Sequence, residues 1–388
     1  MHAGDRHRPG GPPLTRRGFL ETAAAAAAFA VGCGPRGPDP TQLPAEVLDF
    51  HRDCFVFDLH IDTLLWQRFL GYDPTERHEP LLPAAAFGWH FDLPRADEAG
   101  LDGAVLGIVV APREERPEQL WALKVHARLE RGAGIEQTLA TLDLLRETAA
   151  RVPDRLSFVT TGSGLRDAAA AGRFAALAGL EGGHGIEGSL DHLRTAWQHG
   201  LRMLGLVHFQ ASAAGYPMTT PAFAGRGLTP FGFDLLAEVG RLPMVVDLAH
   251  LNSRGLEDCL AALRQPFVVS HTACRALVDN PRNLEDDQLR RIADAGGVVG
   301  LAAGRSFLGP GGLDAFVAHA EHLSNVAGED VPAIGSDWDG AIIPVPGMED
   351  VRALPHLTAA LLDRGWPEPR IRKLLGQNPL QTLTHILG

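Results

Sequence analysis

Short apolar runs recur along the chain, most of them ending in a polar or ionisable residue. They are CFVFDLH (54–60), GAVLGIVV (103–110), FAALAGLE (174–181), LRMLGLVH (201–208), PMVVDLAH (243–250), PFVVSH (266–271), GVVGLAA (297–303) and VPAIGSD (331–337). Continuous apolar runs of this length fit parallel strands buried on both faces. Helix-period segments lie between them. Ser189 is placed to cap a helix whose Leu190, Leu193 and Trp197 share a face, and Gly200 to stop it. Leu256, Cys259, Leu260 and Leu263 form a second such face, ended by Gln265-Pro266, and Leu289, Ile292 and Ala293 a third, closed by Gly296-Gly297. Eight strands alternating with helices predict an α/β fold, a (β/α)8 TIM-type barrel. An open doubly wound sheet is the rival, but no GxGxxG or P-loop follows the first strand. Residues 111–173, between the second and third strands, exceed one crossover. They must hold insertions, such as the helix-like 136–150 and the strand-like LSFVTT (156–161). No second domain and no internal repeat is visible.

Composition narrows the function. The chain has 388 residues, 45% of them hydrophobic, with 47 acidic side chains against 35 Lys+Arg and a formal net charge of −12. That length can bury a core without staples. Binding to nucleic acid needs a basic face to neutralise phosphates, and none appears, so no nucleic-acid partner is expected. Four cysteines are too few for a disulfide-built scaffold. No apolar run reaches the ~20 residues that a membrane-crossing helix needs.

The N-terminus reads as an address. Arg16 and Arg17 in TRRGFL (15–20) precede an alanine-rich apolar stretch from Thr22 to Val31, the plan of an export signal. The paired arginines resemble the twin-arginine signal of bacterial exported proteins. Gly32-Cys33 resembles a lipoprotein cleavage and lipidation site, with Ala30 where such signals usually carry Leu. Residues 1–33 are therefore expected to be an export signal with a candidate lipid anchor at Cys33, and 34–45 a Pro/Gly-rich tether. The barrel is expected over 46–388, in a periplasmic or membrane-anchored protein. Cys54, Cys259 and Cys274 remain, an odd count that allows at most one intramolecular pair.

The chemistry collects at the strand ends, which in this fold converge on one mouth. They carry His60 and Asp62, Glu181, His208, His250, His271 and Asp337. Burying that many unpaired polar groups would cost several kcal/mol each; a cation that draws carboxylates and imidazoles together removes the difficulty. In the His60-x-Asp62 pair, residues two apart on an extended strand point the same way and can reach one ion. Imidazole and carboxylate suit Zn²⁺. Three histidines and two carboxylates exceed the roughly three protein ligands of one catalytic zinc, and suit two ions with Glu181 as the bridge.

The motifs FDLHIDT (57–63), GLEGGH (179–184), LGLVHF (204–209), VVDLAH (245–250), SHTACRALVDNPRN (270–283), IGSDWDG (334–340) and GQNPL (376–380) resemble, in order and approximate spacing, the renal or membrane dipeptidases. These are metallopeptidases with amidohydrolase-like barrels. The resemblance runs from about residue 50 to the end. It implies that His60 and Asp62 hold one zinc and His250 and His271 the other, with Glu181 shared. It implies that His208 contacts the substrate and polarises the scissile carbonyl, that Arg282 binds the substrate carboxylate, and that Asp337 passes a proton to the leaving amine. The implied activity is hydrolysis of dipeptides, including those with a D-residue at the C-terminal position, by a metal-bridging hydroxide. Homodimers are common among the relatives it resembles.

Other residues carry less. His184 could orient ligands or serve its loop; Asp339 and Glu187 could support the ligands from behind but fit ordinary turn acids better, and Asp58 and Asp247 read as structural partners. Cys274, near His271, is not marked as a ligand. His90, His192, His199, His319, His322 and His356 read as packing or solvated histidines. The resemblance thins on two loops: Ala302-Ala303-Gly304-Arg305 stands where an Asn-Phe-Tyr-like stretch is usual, and FQASAAGY (209–216) lacks the usual Asn and Trp or Leu. Two other functions stay open on sequence: an amidohydrolase-type enzyme on a non-peptide amide or lactone, and a surface lipoprotein that binds a ligand without turnover.

Overall fold

The computed structural model describes residues 38–78, 88–110 and 134–388. The expected export signal and Cys33 lie outside these residues, as do residues 111–133 after the second apolar run. A short turn at Pro40–Gln42 precedes the first helix, Ala45–Arg52.

Nine strands follow among the described residues: β1 (Phe57–Ile61), β2 (Gly103–Val109), β3 (Leu156–Val159), β4 (Phe174–Glu181), β5 (Leu201–Gly205), β6 (Val245–Asp247), β7 (Val268–Thr272), β8 (Val298–Leu301) and β9 (Pro332–Ile334). All eight apolar runs are strands. β2 pairs with β4 from Gly103↔Ala175 to Val109↔Glu181, and β9 pairs with β1, so eight parallel strands close into a (β/α)8 barrel. The LSFVTT segment is the extra strand, β3, which pairs only with the first half of β4; β5 takes the second half. The helix-like 136–150 falls within the helix Gly134–Arg151.

Local chemistry explains the crossovers. Ser189 caps the helix Leu190–Gln198 by accepting from His192 N, and Asn252 caps Ser253–Ala262 by accepting from Gly255 N, each satisfying an otherwise unpaired amide. Gly200 and Gly296 turn the chain out of helices at φ +106 and +74, a region open to glycine without a Cβ clash.

Every barrel strand contributes to one inner apolar cluster, including Phe57, Leu59, Val105, Leu177, Met203 and Val268. The C-terminal helix Asn378–Leu387 adds Leu383 and Leu387 to it and lies against β1, β6, β8 and β9. The GQNPL motif begins this closure: Asn378 Nδ2 donates to Glu329 O and Pro332 O at the start of β9. A larger outer cluster packs helices onto the barrel. The opposite, carboxyl end of the barrel is left for polar groups.

Two bulges reset the strand phase there. Asp58 to Ile61 on β1 faces only Ala104 to Leu106 on β2, and Val269 to Thr272 on β7 faces only Val299 to Leu301 on β8. Each inserts one extra residue. Phe57 and Leu59 therefore pack in the inner cluster and Ile61 in the outer one, while His60 and Asp62 turn inward above the apolar floor. A bulge is a recurrent way to re-aim a side chain beside a site.

Candidate metal centre

The strand ends bring the seven predicted ionisable groups into one cluster, and all but His60 line one cavity. His60 lies on β1 and Asp62 just beyond it; Glu181 ends β4, and His271 lies on β7. His208, His250 and Asp337 each stand three residues past the ends of β5, β6 and β9. Glu181 Oε1 is the common neighbour. It lies 3.7 Å from His60 Nε2, 3.5 Å from His208 Nε2, 2.9 Å from His250 Nε2 and 3.4 Å from His271 Nε2. His60 Nε2 is also 3.4 Å from Asp62 Oδ1. Three overlapping sets could each hold an ion: His60, His271 and Asp337; Glu181, His208 and His250; and His60, Asp62 and Glu181.

The backbone is bent to reach this geometry. His250 and Asp337 adopt left-handed conformations, φ +66 and +62, which cost a non-glycine residue on the order of 1–2 kcal/mol. Hydrogen bonds continue the β1–β9 seam past the end of β9: Asp337 N donates to His60 O (3.1 Å) and Asp62 N to Trp338 O (2.8 Å). Gly107 is required where it stands. A Cβ there would lie 2.0 Å from Asp62 Oδ1.

The donors fit a cation. His60 Nε2 and Asp62 Oδ1 are buried without a hydrogen-bond partner, an arrangement that costs free energy unless something else satisfies them. His250 Nε2 and His271 Nε2 face each other at 2.8 Å. Ser270 Oγ donates to Asp247 Oδ2 (2.6 Å) and stands 2.9 Å from His271 Nδ1. Its single proton is committed to the carboxylate, so it accepts from Nδ1–H and leaves Nε2 with the lone pair. Asp247 thus fixes a tautomer suited to metal binding.

Electrostatics agree. Burial, reinforced by the Asp62 charge, raises the Glu181 carboxyl well above its ordinary value, and burial pushes Asp337 up to about 8. Burial opposes charge on His60, yet the Asp62 and Glu181 carboxylates outweigh it and raise its pKa. Burial holds His250 and His271 neutral and lowers His208 to about 3. Neutral imidazoles are the form that ligates metal. Burial also lowers Arg282, to about 10, which leaves it charged at neutral pH.

Arg282 shares a cavity of about 630 Å³ with Glu181, His208, His271 and Asp337. Its Nη2 donates to His271 O (3.3 Å), and Thr272 Oγ1 holds its carbonyl (2.8 Å). Asp339 differs from the ordinary turn acid expected of it. It is fully buried and accepts from Thr63 Oγ1 (2.5 Å) and His90 N (2.7 Å), tying the SDWDG loop to the helix that follows Asp62. Burial raises its pKa. Glu187 is the expected turn acid, 3.7 Å from His192. Asp58 accepts from His60 N and Ser336 N, a structural role. His184 lies in the turn Gly183–Ile186, outside the three ligand sets. Cys54, Cys259 and Cys274 are buried and free, so the pair the sequence allowed does not form among them.

Comparison with known proteins places this arrangement. The model of the membrane dipeptidase family, peptidase family M19, matches residues 45–386. A solved metallopeptidase of that family, a dipeptidase, is 32% identical at TM-score 0.73 over 86% of this chain and 99% of its own. A metallopeptidase from Rhodobacter sphaeroides, solved with a phosphinate mimic of the dipeptide L-Ala-D-Ala, is 30% identical at TM-score 0.74 over the same shares. A probable dipeptidase from Pseudomonas aeruginosa, 21% identical at TM-score 0.77 over 90% of this chain and 99% of its own, shares the fold.

Proposed function

Because the chain belongs to the membrane dipeptidase family of metallopeptidases, we propose that it is an exported dinuclear zinc dipeptidase acting on dipeptides, including those with a C-terminal D-residue. The observation that carries the reading is Glu181 Oε1 set among four imidazole nitrogens from four strand ends, in one cavity with Arg282. A phosphinate mimic of L-Ala-D-Ala bound to the Rhodobacter sphaeroides protein supports the substrate class. The arginine pair and the apolar stretch of residues 15–31 support export.

His60 and Asp62 would hold one zinc, His250 and His271 the other, with Glu181 shared. When bound, zinc supplies Lewis acidity and makes water nucleophilic at neutral pH. The remaining steps belong to the chain. Arg282 pairs its guanidinium with the dipeptide's terminal carboxylate, which turns recognition of chain length into positioning of the bond. His208, at the rim of the cluster, donates a hydrogen bond to the scissile carbonyl as negative charge develops on it. Asp337 accepts the proton of the attacking water and delivers it to the leaving amine nitrogen, and the C–N bond breaks.

Arg282→Ala tests this. KM for dipeptides should rise by about tenfold or more, as expected for loss of a charge-assisted pair, while zinc content stays at the wild-type level. Unchanged dipeptide kinetics in that variant would favour a substrate without a carboxylate, such as a lactone.

A further inference from the structure

The loop after β8 adds a second cation to the cavity. Ala302-Ala303-Gly304 leads into a four-residue helix, Arg305–Leu308, and Arg305 lines the cavity with Arg282. Arg275 and Arg372, both half-buried, hold carboxylates, those of Asp279 and Asp53. Arg305 is exposed and pairs with no carboxylate among the described residues. The acids lining the cavity, Asp62, Glu181 and Asp337, all belong to the candidate metal cluster.

The helix is fixed against the Arg282 loop. Asn280 Nδ2 donates to Ser306 O (2.7 Å), Asn283 Nδ2 to Phe307 O (2.9 Å), and the Arg282 guanidinium stands 5.5 Å from the Phe307 ring centre. Arg305 N donates to Ile343 O (2.8 Å) on the other flank. The side chain of Arg305 therefore extends from the same wall that presents Arg282. A substrate whose terminal carboxylate sits on Arg282 places the side chain of that C-terminal residue beside this wall.

We propose that Arg305 makes the enzyme select dipeptides with an acidic C-terminal residue, a preference that rests on the dipeptidase reading above. A charge at the cavity mouth is partly screened by water and salt, so the effect is a selectivity and not a requirement. The test compares kcat/KM for Ala-Asp with Ala-Asn, and Ala-D-Asp with Ala-D-Asn, on the zinc-loaded chain; each pair is nearly isosteric and differs in charge. Wild type should favour the acid by about fivefold at low ionic strength, the scale of an exposed ion pair, with the ratio shrinking in salt. Arg305→Ala should bring the ratio close to one, Arg305→Glu should invert it, and Arg305→Lys should keep most of it. A wild-type ratio at or below one overturns the proposal, as does a ratio that survives in Arg305→Ala, even where both rates fall together. Hydrolysis of neutral dipeptides with no acidic preference removes this proposal alone, whereas no hydrolysis of any dipeptide removes the dipeptidase reading with it.

Discussion

Ser270 binds no substrate in this account and would touch no metal, yet it decides how His271 presents itself. Its hydroxyl is shared between Asp247 Oδ2 and His271 Nδ1, and without it the imidazole can flip tautomer or rotate. Ser270→Ala should weaken zinc affinity by about 10- to 100-fold, the usual effect of removing a group that orients a ligand, as read by competition with a chelator of known affinity. Gly107→Ala should act more severely. The added methyl would lie 2.0 Å from Asp62 Oδ1, so it must displace a proposed ligand, and zinc content should fall while the circular dichroism spectrum is retained. The candidate ligands stand out in the sequence because His60, Glu181, His250 and His271 each end an apolar run and Asp62 lies two residues beyond one. The Ser270–Asp247 link does not. It depends on β6 meeting β7 at Asp247↔Val268, and nothing in DLAH or SHTA states that register. Asp339 was misjudged for a similar reason: the sequence shows an acid in a Gly-flanked turn and hides the Thr63 and His90 groups that bury it.

At the level of elements, the strands were read well, since parallel strands buried on both faces leave a continuous apolar signature. LSFVTT reads as strand-like and 136–150 as helix-like, but the place of β3 beside β4, and of the helix beside β3, is not available from periodicity. The bulges in β1 and β7 were also invisible. An alternating pattern is reset by one extra residue without any change in composition, so His60 follows Leu59 inward where strict alternation would send it out. Between elements, His51 joins the first helix to two others through Thr358 Oγ1 (2.7 Å) and Ala99 O (2.8 Å). Burial lowers its pKa to about 4, so the unfolded chain binds its proton first as the pH drops below about 6.5. Stability from this group is complete above that value and is lost as the pH falls towards 4, by roughly 3 kcal/mol in all. His51→Gln should therefore flatten the dependence of Tm on pH between about 4 and 6.5 relative to wild type. An identical slope in the two proteins would show that His51 is not held neutral.

For the whole molecule, the barrel converts chain order into a ring. Residues from His60 to Asp337 are distant in sequence, and closure of β9 on β1 brings the two ends of that span together around Glu181. The C-terminal helix packs against several of the same strands, and the carboxyl end keeps the polar groups and the cavity. This is why an ordered set of strand-end residues marks a candidate centre in the sequence, while the wall formed by Arg282 and Arg305 is visible only in the structure. Everything proposed for function depends on that ring holding metal. The most direct measurement titrates zinc into metal-free chain while hydrolysis of L-Ala-D-Ala is followed. The account predicts negligible hydrolysis without metal and a rise that saturates at about two equivalents per chain, the stoichiometry of a carboxylate-bridged pair. Full hydrolysis by the metal-free chain, or zinc that binds at two equivalents without producing any hydrolysis, would contradict it.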